Sequence, residues 1–280
     1  MFIPYLKDKS NYWMGKNLSN KIKPVMILVP GMEGTGKLYK NHLLEFRSKG
    51  FDAFIFEYDK SGPQTIVQHA EALAKSIENF DGQKVYLCGH SMGGCIILEL
   101  IKKHAKMLSG IILINSASAV VPKLQGVKKF IPLIKMVPNP VIRFSAKVSA
   151  PLNANKKKFC TTSWNNFKEV SSAISNKLLS ARLKAISEFN YCTEFLSKCE
   201  LPALVISSLR DNVQPSLDEA KRLASYFPNS DLRILGTSGH DCLNESNFSI
   251  YSYFKESNIF HKENQNILSK TMDVKPIKQA

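Results

Sequence analysis

The 280-residue chain holds no run approaching 18 consecutive apolar residues, so no membrane-spanning helix is expected. Residues 1–10 carry Lys7, Asp8 and Lys9 and no apolar core followed by small residues, so no secretory signal is expected either. The six cysteines, Cys88, Cys95, Cys160, Cys192, Cys199 and Cys242, form no C-x-x-C pair. Their even number permits a disulfide framework, but a chain of this size does not need one. Cys88 and Cys95 sit in apolar runs, which favours free, mostly buried thiols and a reducing, cytoplasmic compartment. His42, His69, His90, His104, His240 and His261 are scattered without ligand spacing, so no metal site is expected.

Acidic residues are missing from one long stretch. Between Glu99 and Glu169 there is none, while 13 lysines and arginines fall there, among them Lys102, Lys128, Lys135, Arg143, Lys157 and Lys168. The whole chain has 38 basic against 23 acidic residues, a formal charge of +15. One account is a lysine-rich surface facing water. The other is a positive face for an acidic carrier protein, an anionic membrane surface or a charged substrate. No zinc-finger or RNP-like pattern occurs, and nucleic acid is not expected as a partner.

What is present alternates between strand and helix. Val25–Val29 is a continuous apolar run ending at Pro30-Gly31 and reads as a buried strand. A helix is expected over 38–48 with Gly50 closing it, a strand over 51–58, a helix over 65–79, and a strand over 84–88. Residues 95–101 read as a buried helix; 110–115, 203–207 and 232–235 read as strands, with an amphipathic helix over 217–227 before the last. This alternation predicts an α/β fold with a mostly parallel central sheet and helices on both faces. Runs such as MILV and IILI, apolar at every position, suit strands covered on both sides. Residues 119–200 break the alternation with five of the 13 prolines and then helical periodicity over 167–195. They read as an inserted helical cap, leaving a core of 1–118 and 201–260 and a polar tail at 261–280.

The chemistry concentrates at Gly89-His90-Ser91-Met92-Gly93, a G-x-S-x-G pattern that is weak alone. A strand before it and a buried helix after it are what a nucleophile elbow requires, with glycines removing the Cβ atoms that would clash with the serine. The helix N-terminus then offers backbone N–H groups to a developing oxyanion. A serine hydroxyl needs a base, and the base an orienting carboxylate. Asp211 follows the strand at 203–207 and His240 follows the strand at 232–235, where an open parallel sheet gathers its site. Either alone could be a turn or loop residue; both in the order Ser, Asp, His is the stronger sign. The strand 110–115 ends at Asn115 without an acid, which favours Asp211 as the orienter. His90 adjoins the serine, but neighbouring side chains in such a turn diverge, and it is not assigned as the base.

In the pieces VPGMEGTG, GHSMGG, SSLRDNVQP and GTSGHDCLNE, taken in that order, the chain resembles the α/β-hydrolase serine hydrolases from about Pro24 to Phe260. The resemblance implies Ser91 as nucleophile, His240 as general base and Asp211 as its orienter. It also implies an oxyanion hole from the backbone N–H groups of Met92 and Met32. Pro30-Gly31 stands where many members carry His-Gly, and the loop DKSGP lacks the longer arginine-glycine pattern common in relatives. By the same resemblance, residues 119–200 are the cap that roofs the site. Its apolar residues either pack it onto the core or line an acyl channel, with the lysines facing water or a partner.

The activity expected is hydrolysis of a carboxylic ester or thioester through an acyl-enzyme, with no cofactor. Its substrate is then a small molecule or acyl chain, and charge suggests an acyl group on acidic acyl-carrier protein, such as the pimeloyl-carrier-protein methyl ester used by some capped relatives. Two other readings share the residues: acyl transfer to an alcohol, suggested by PGMEGTG, and a non-catalytic ligand-binding protein on the same scaffold. Haloperoxidase-like and carbon–carbon hydrolase activities share the triad as well.

Overall fold

A computed structural model describes residues 6–7, 22–59, 65–118, 125–126, 128–149, 155–191 and 193–260. The expected tail at 261–280, Cys192, and most of the loop at 59–63 lie outside the described residues.

Among the described residues, seven strands form one sheet. They are β1 (Leu6–Lys7), β2 (Val25–Val29), β3 (Asp52–Phe56), β4 (Val85–His90), β5 (Gly110–Ile114), β6 (Ala203–Ser208) and β7 (Ser230–Leu235), in the spatial order β1-β3-β2-β4-β5-β6-β7. Six pair in parallel; the two-residue β1 pairs antiparallel to β3 at the edge. The sequence pattern did not reveal β1, because two residues are too few to show a period.

The continuous apolar runs are explained by alternation across the sheet. Val25, Ile27 and Val29 of β2 join one core cluster, while Met26 and Leu28 join the other. On the first face lie helices α2 (Ile66–Ile77) and α3 (Met92–His104); on the second lies α1 (Lys40–Ser48). Because both faces are roofed, every residue of β2, β4, β5 and β6 is buried. Local signals set the ends. Thr65 and Gln68 form a reciprocal capping box at the start of α2. Gly50, at φ 88°, turns the chain after α1 in the left-handed conformation that suits glycine.

Between β5 and β6 the described residues are helical. A 3-10 segment at Lys128–Met136 precedes α4 (Asn139–Ser149), α5 (Thr161–Ala173) and α6 (Asn176–Glu188). The periodicity expected over 167–195 is thus split by a break at 174–175. Helix α7 (Ser216–Tyr226) then connects β6 to β7, and α8 (Ile250–Glu256) completes the second face.

The turn between β4 and α3 is held by close backbone contacts. A Cβ on Gly93 would lie 2.2 Å from the Val29 carbonyl oxygen and 2.6 Å from that of Pro30; one on Gly89 would lie 2.6 Å from the Gly93 carbonyl carbon. Gly93→Ala should therefore destabilise the fold by about 3 kcal/mol or more, since backbone cannot yield as a flexible side chain does. Gly236→Ala, at a site with nothing within 4 Å, should leave stability unchanged. Urea denaturation of the two variants checks the contrast, and equal midpoints would contradict it.

Candidate active site

Ser91 links β4 to α3 with φ 53° and ψ −120°, a left-handed conformation rare for a residue with a Cβ. Its amide is tied to the end of the neighbouring strand, donating to the Ile114 carbonyl at 2.9 Å. A serine before a helix commonly caps it, yet the Ser91 side chain makes no cap hydrogen bond. The strained turn swings Oγ away from the helix and toward the loop after β7.

There His240 meets it. Ser91 Oγ lies 3.0 Å from His240 Nε2, and His240 Nδ1 lies 2.7 Å from Asp211 Oδ2. Asp211 sits in the loop after β6, where its Oδ1 accepts the N–H groups of Val213 (2.8 Å) and Gln214 (3.1 Å), and its Oδ2 accepts the Ser216 hydroxyl. Burial pushes the carboxyl up. The His240 partner, the Ser216 hydroxyl and the Gln214 N–H outweigh that, holding it below the ordinary carboxylate range. For His240, burial pushes the imidazole down, and the Asp211 hydrogen bond and charge carry it back above its ordinary value.

Asn115, noted in the sequence only as a strand end without an acid, ties these loops together. It sits at φ 44°, in the left-handed region that asparagine enters more readily than most residues. Its Oδ1 accepts the Ser208 N–H at 2.7 Å; its Nδ2 lies 2.9 Å from Ser208 Oγ and 2.9 Å from the His240 carbonyl. Gln214 Nε2 donates to the Asn115 carbonyl, which joins the Asp211 loop to the same residue. His90 holds the His240 backbone from another side, with Nε2 2.9 Å from that carbonyl. Burial first, and then the His240 charge, push His90 down to about 3. It is neutral, donates from Nε2 and faces a carbonyl, so it is a support and not a base.

The expected oxyanion donors lie on two elements. Met92 is the first residue of α3, where no preceding turn supplies a carbonyl for its N–H. Met32 lies in the turn after β2, and that turn abuts Ser91: a Cβ on Gly31 would come within 3.4 Å of Ser91 Cβ. One residue that sequence reasoning missed holds this turn. Arg182 of α6 is buried and donates from one guanidinium nitrogen to the carbonyls of Met32 (2.8 Å) and Glu33 (2.9 Å). It lies over the Tyr58 ring, 5.3 Å from the centroid, and Tyr58 donates to the Pro30 carbonyl. A lone arginine on a helix 150 residues away gives no signal in the sequence.

Of the described cysteines, Cys88, Cys95, Cys199 and Cys242 are buried, Cys160 is exposed, and all five are free thiols. Among the described residues no group of three or more His, Cys, Asp or Glu could hold a metal ion, and no helix is long and apolar enough to cross a membrane.

A strand-turn-helix carrying a strained serine, with a carboxylate and a histidine delivered by later strands of a parallel sheet, is the arrangement of one fold family. The sequence model described as alpha/beta hydrolase fold matches residues 24–245, and the chain belongs to that family. Among curated relatives, phytyl ester synthase 1, chloroplastic, of Arabidopsis thaliana is 23% identical over 260 residues. That match covers 83% of this chain, while this chain spans only 36% of that relative. A putative carbamate hydrolase RutD of Pseudomonas syringae pv. syringae (strain B728a) is 23% identical over 231 residues, covering 78% of this chain and 86% of the relative. Among solved structures, a thermophilic esterase from Thermogutta terrifontis superposes with a TM-score of 0.66 at 17% identity, over 88% of this chain and 90% of its own. This last likeness is one of fold.

Asn115→Ala strands the buried Ser208 N–H, leaves the His240 carbonyl to His90 alone, and forces alanine to positive φ. The expected cost is about 2–4 kcal/mol. Urea denaturation measures it; a loss below about 1 kcal/mol would show the loops to be held without it.

Proposed function

We propose that this α/β-hydrolase cleaves a carboxylic ester or thioester through a Ser91–His240–Asp211 triad and an acyl-enzyme. The observation that carries the reading is the continuous chain of contacts from Ser91 Oγ through both ring nitrogens of His240 to Asp211. Ser91 Oγ attacks the acyl carbon as its proton passes to His240 Nε2. The oxygen of the former carbonyl, now negative, is received by the N–H groups of Met92 and Met32. The bond to the leaving group breaks as His240 returns the proton to it. Water, activated by the same imidazole, then attacks the acyl-enzyme, and Ser91 recovers its proton. Asp211 stays ionised throughout, holding the ring in the Nδ1–H tautomer and stabilising the imidazolium.

Acyl transfer to an alcohol uses the same intermediate, and the similarity to a relative named as a phytyl ester synthase is the observation that favours it. A carrier-bound acyl ester rests on charge alone, while an anionic lipid surface has apolar exposure on its side as well.

Hydrolysis of p-nitrophenyl esters of increasing chain length tests the reading. Ser91→Ala should lower kcat about a thousandfold or more with Tm unchanged. Full activity in that variant would refute the nucleophile. Added long-chain alcohol should leave free acid as the main product if hydrolysis is the reaction; a new ester in its place would identify acyl transfer.

The pH profile supplies a second check. The base works only when neutral, so kcat/KM should rise with pH through the His240 midpoint, which lies above the ordinary imidazole value of 6.5. In Asp211→Asn the upward pull is gone and burial remains. The midpoint should move to lower pH while kcat falls about 10⁴-fold. A midpoint that stays put would mean Asp211 does not set the imidazole.

A further inference from the structure

Two consecutive pieces of the insertion between β5 and β6 turn apolar side chains to solvent. In the 3-10 segment Lys128–Met136, three residues per turn stack Phe130, Leu133 and Met136 in one row, while Ile131 points inward and is buried. In α4, Val141, Phe144 and Val148 follow the i, i+3, i+7 spacing of a single helical stripe, and Ile142 is buried on the side facing the protein. The six outward side chains are each between 50% and 80% exposed. An amphipathic element on a protein surface ordinarily buries its apolar stripe; here each element buries one residue and leaves a wider stripe open.

These rows are held in place rather than loose. Asn176 Nδ2 donates to the carbonyls of Lys135 (2.8 Å) and Val137 (3.0 Å), the Asn176 N–H donates to Asn139 Oδ1 (2.7 Å), and Ser180 Oγ donates to the Ile131 carbonyl (3.0 Å). Exposed Lys129, Lys135, Arg143 and Lys147 alternate with the apolar residues, and no acidic residue lies anywhere between Glu99 and Glu169.

We propose that the rows Phe130–Leu133–Met136 and Val141–Phe144–Val148 dock the protein onto an anionic lipid bilayer. The apolar side chains would enter the boundary between headgroups and acyl chains, with the lysines and Arg143 reaching lipid phosphates on either side. An acidic protein would answer the charge but would need apolar grooves matched to both rows. A bilayer supplies both at once. The inference does not rest on the ester-hydrolase reading, so Ser91→Ala should bind vesicles as the parent chain does.

Sedimentation of the full chain with vesicles is the test, using phosphatidylcholine alone and phosphatidylcholine mixed with phosphatidylglycerol. Binding should favour the mixed vesicles about tenfold or more and weaken as salt is raised. Lys129→Glu with Lys135→Glu should lower it about tenfold or more, as should Phe130→Ser with Phe144→Ser, with Tm unchanged. Lys40→Glu with Lys255→Glu changes charge equally on exposed helix positions elsewhere and should keep binding within about twofold. Four results would overturn the proposal: no vesicle binding; equal loss in that control pair; a lowered Tm in the phenylalanine pair, or a solution mass of more than one chain that falls in it, meaning that protein covers the face; or capture by an acidic acyl-carrier protein without capture by vesicles.

Discussion

The site depends on one backbone constraint: Ser91 must hold φ 53° where a strand becomes a helix. A residue with a Cβ pays for that conformation, on the order of 1–3 kcal/mol, and keeps it only where the surroundings permit nothing else. Here they do. Gly93 presses against the carbonyls of Val29 and Pro30, Gly89 against Gly93, and Gly94 against the Ser116 side chain, so the turn is wedged between the ends of β2 and β5. The strain keeps the hydroxyl from capping α3. That leaves Oγ to His240 and the first N–H groups of the helix without a cap from Ser91.

Wedging the serine fixes only one partner. His240 and Asp211 ride on loops, and loops need their own restraints. Asn115 supplies one by standing at the end of β5 between the two loops, and its positive φ is what aims its amide sideways at Ser208 and the His240 carbonyl. From outside the sheet, Arg182 restrains a third loop, donating to the consecutive carbonyls of Met32 and Glu33 in the turn after β2. Helix α6 therefore has two duties on two faces. Ser180 holds the 3-10 segment with the exposed apolar row, and two residues on, Arg182 holds the turn beside the nucleophile.

The sequence made the sheet legible because strands buried on both faces read as unbroken apolar runs, and made the candidate site residues legible because each follows a strand. Ser91, Asp211 and His240 come together as their order suggested, and Met32 lies in a turn against Ser91. Asn115, Gln214, Ser216 and Arg182 were silent for a common reason. They act through polar contacts, those of Asn115, Gln214 and Arg182 to groups far along the chain and that of Ser216 to Asp211 five residues away, and such contacts leave no period and no motif. The mixed apolar and lysine composition of 128–149 was visible, but not which side faced outward. The 3-10 period of three sorts Phe130, Leu133 and Met136 into one row, whereas a helical period of 3.6 would have fanned them over about 120°.

Two histidines, His90 and His240, have ring centroids 5.0 Å apart and are both buried, yet they are shifted in opposite directions. Burial penalises the charged ring in each. The difference is the partner. His240 Nδ1 faces a carboxylate kept ionised by two backbone N–H groups and a hydroxyl, so a second proton on that ring is welcomed. His90 faces a carbonyl, which accepts a hydrogen bond but carries no net charge to offset desolvation, and a cation on His240 repels another so close by. On the proposed mechanism, only His240 can therefore take the Ser91 proton near neutral pH. The other remains a neutral donor, holding the working imidazole by its own backbone. Position beside the nucleophile in sequence thus decides nothing; the carboxylate brought in from β6 does.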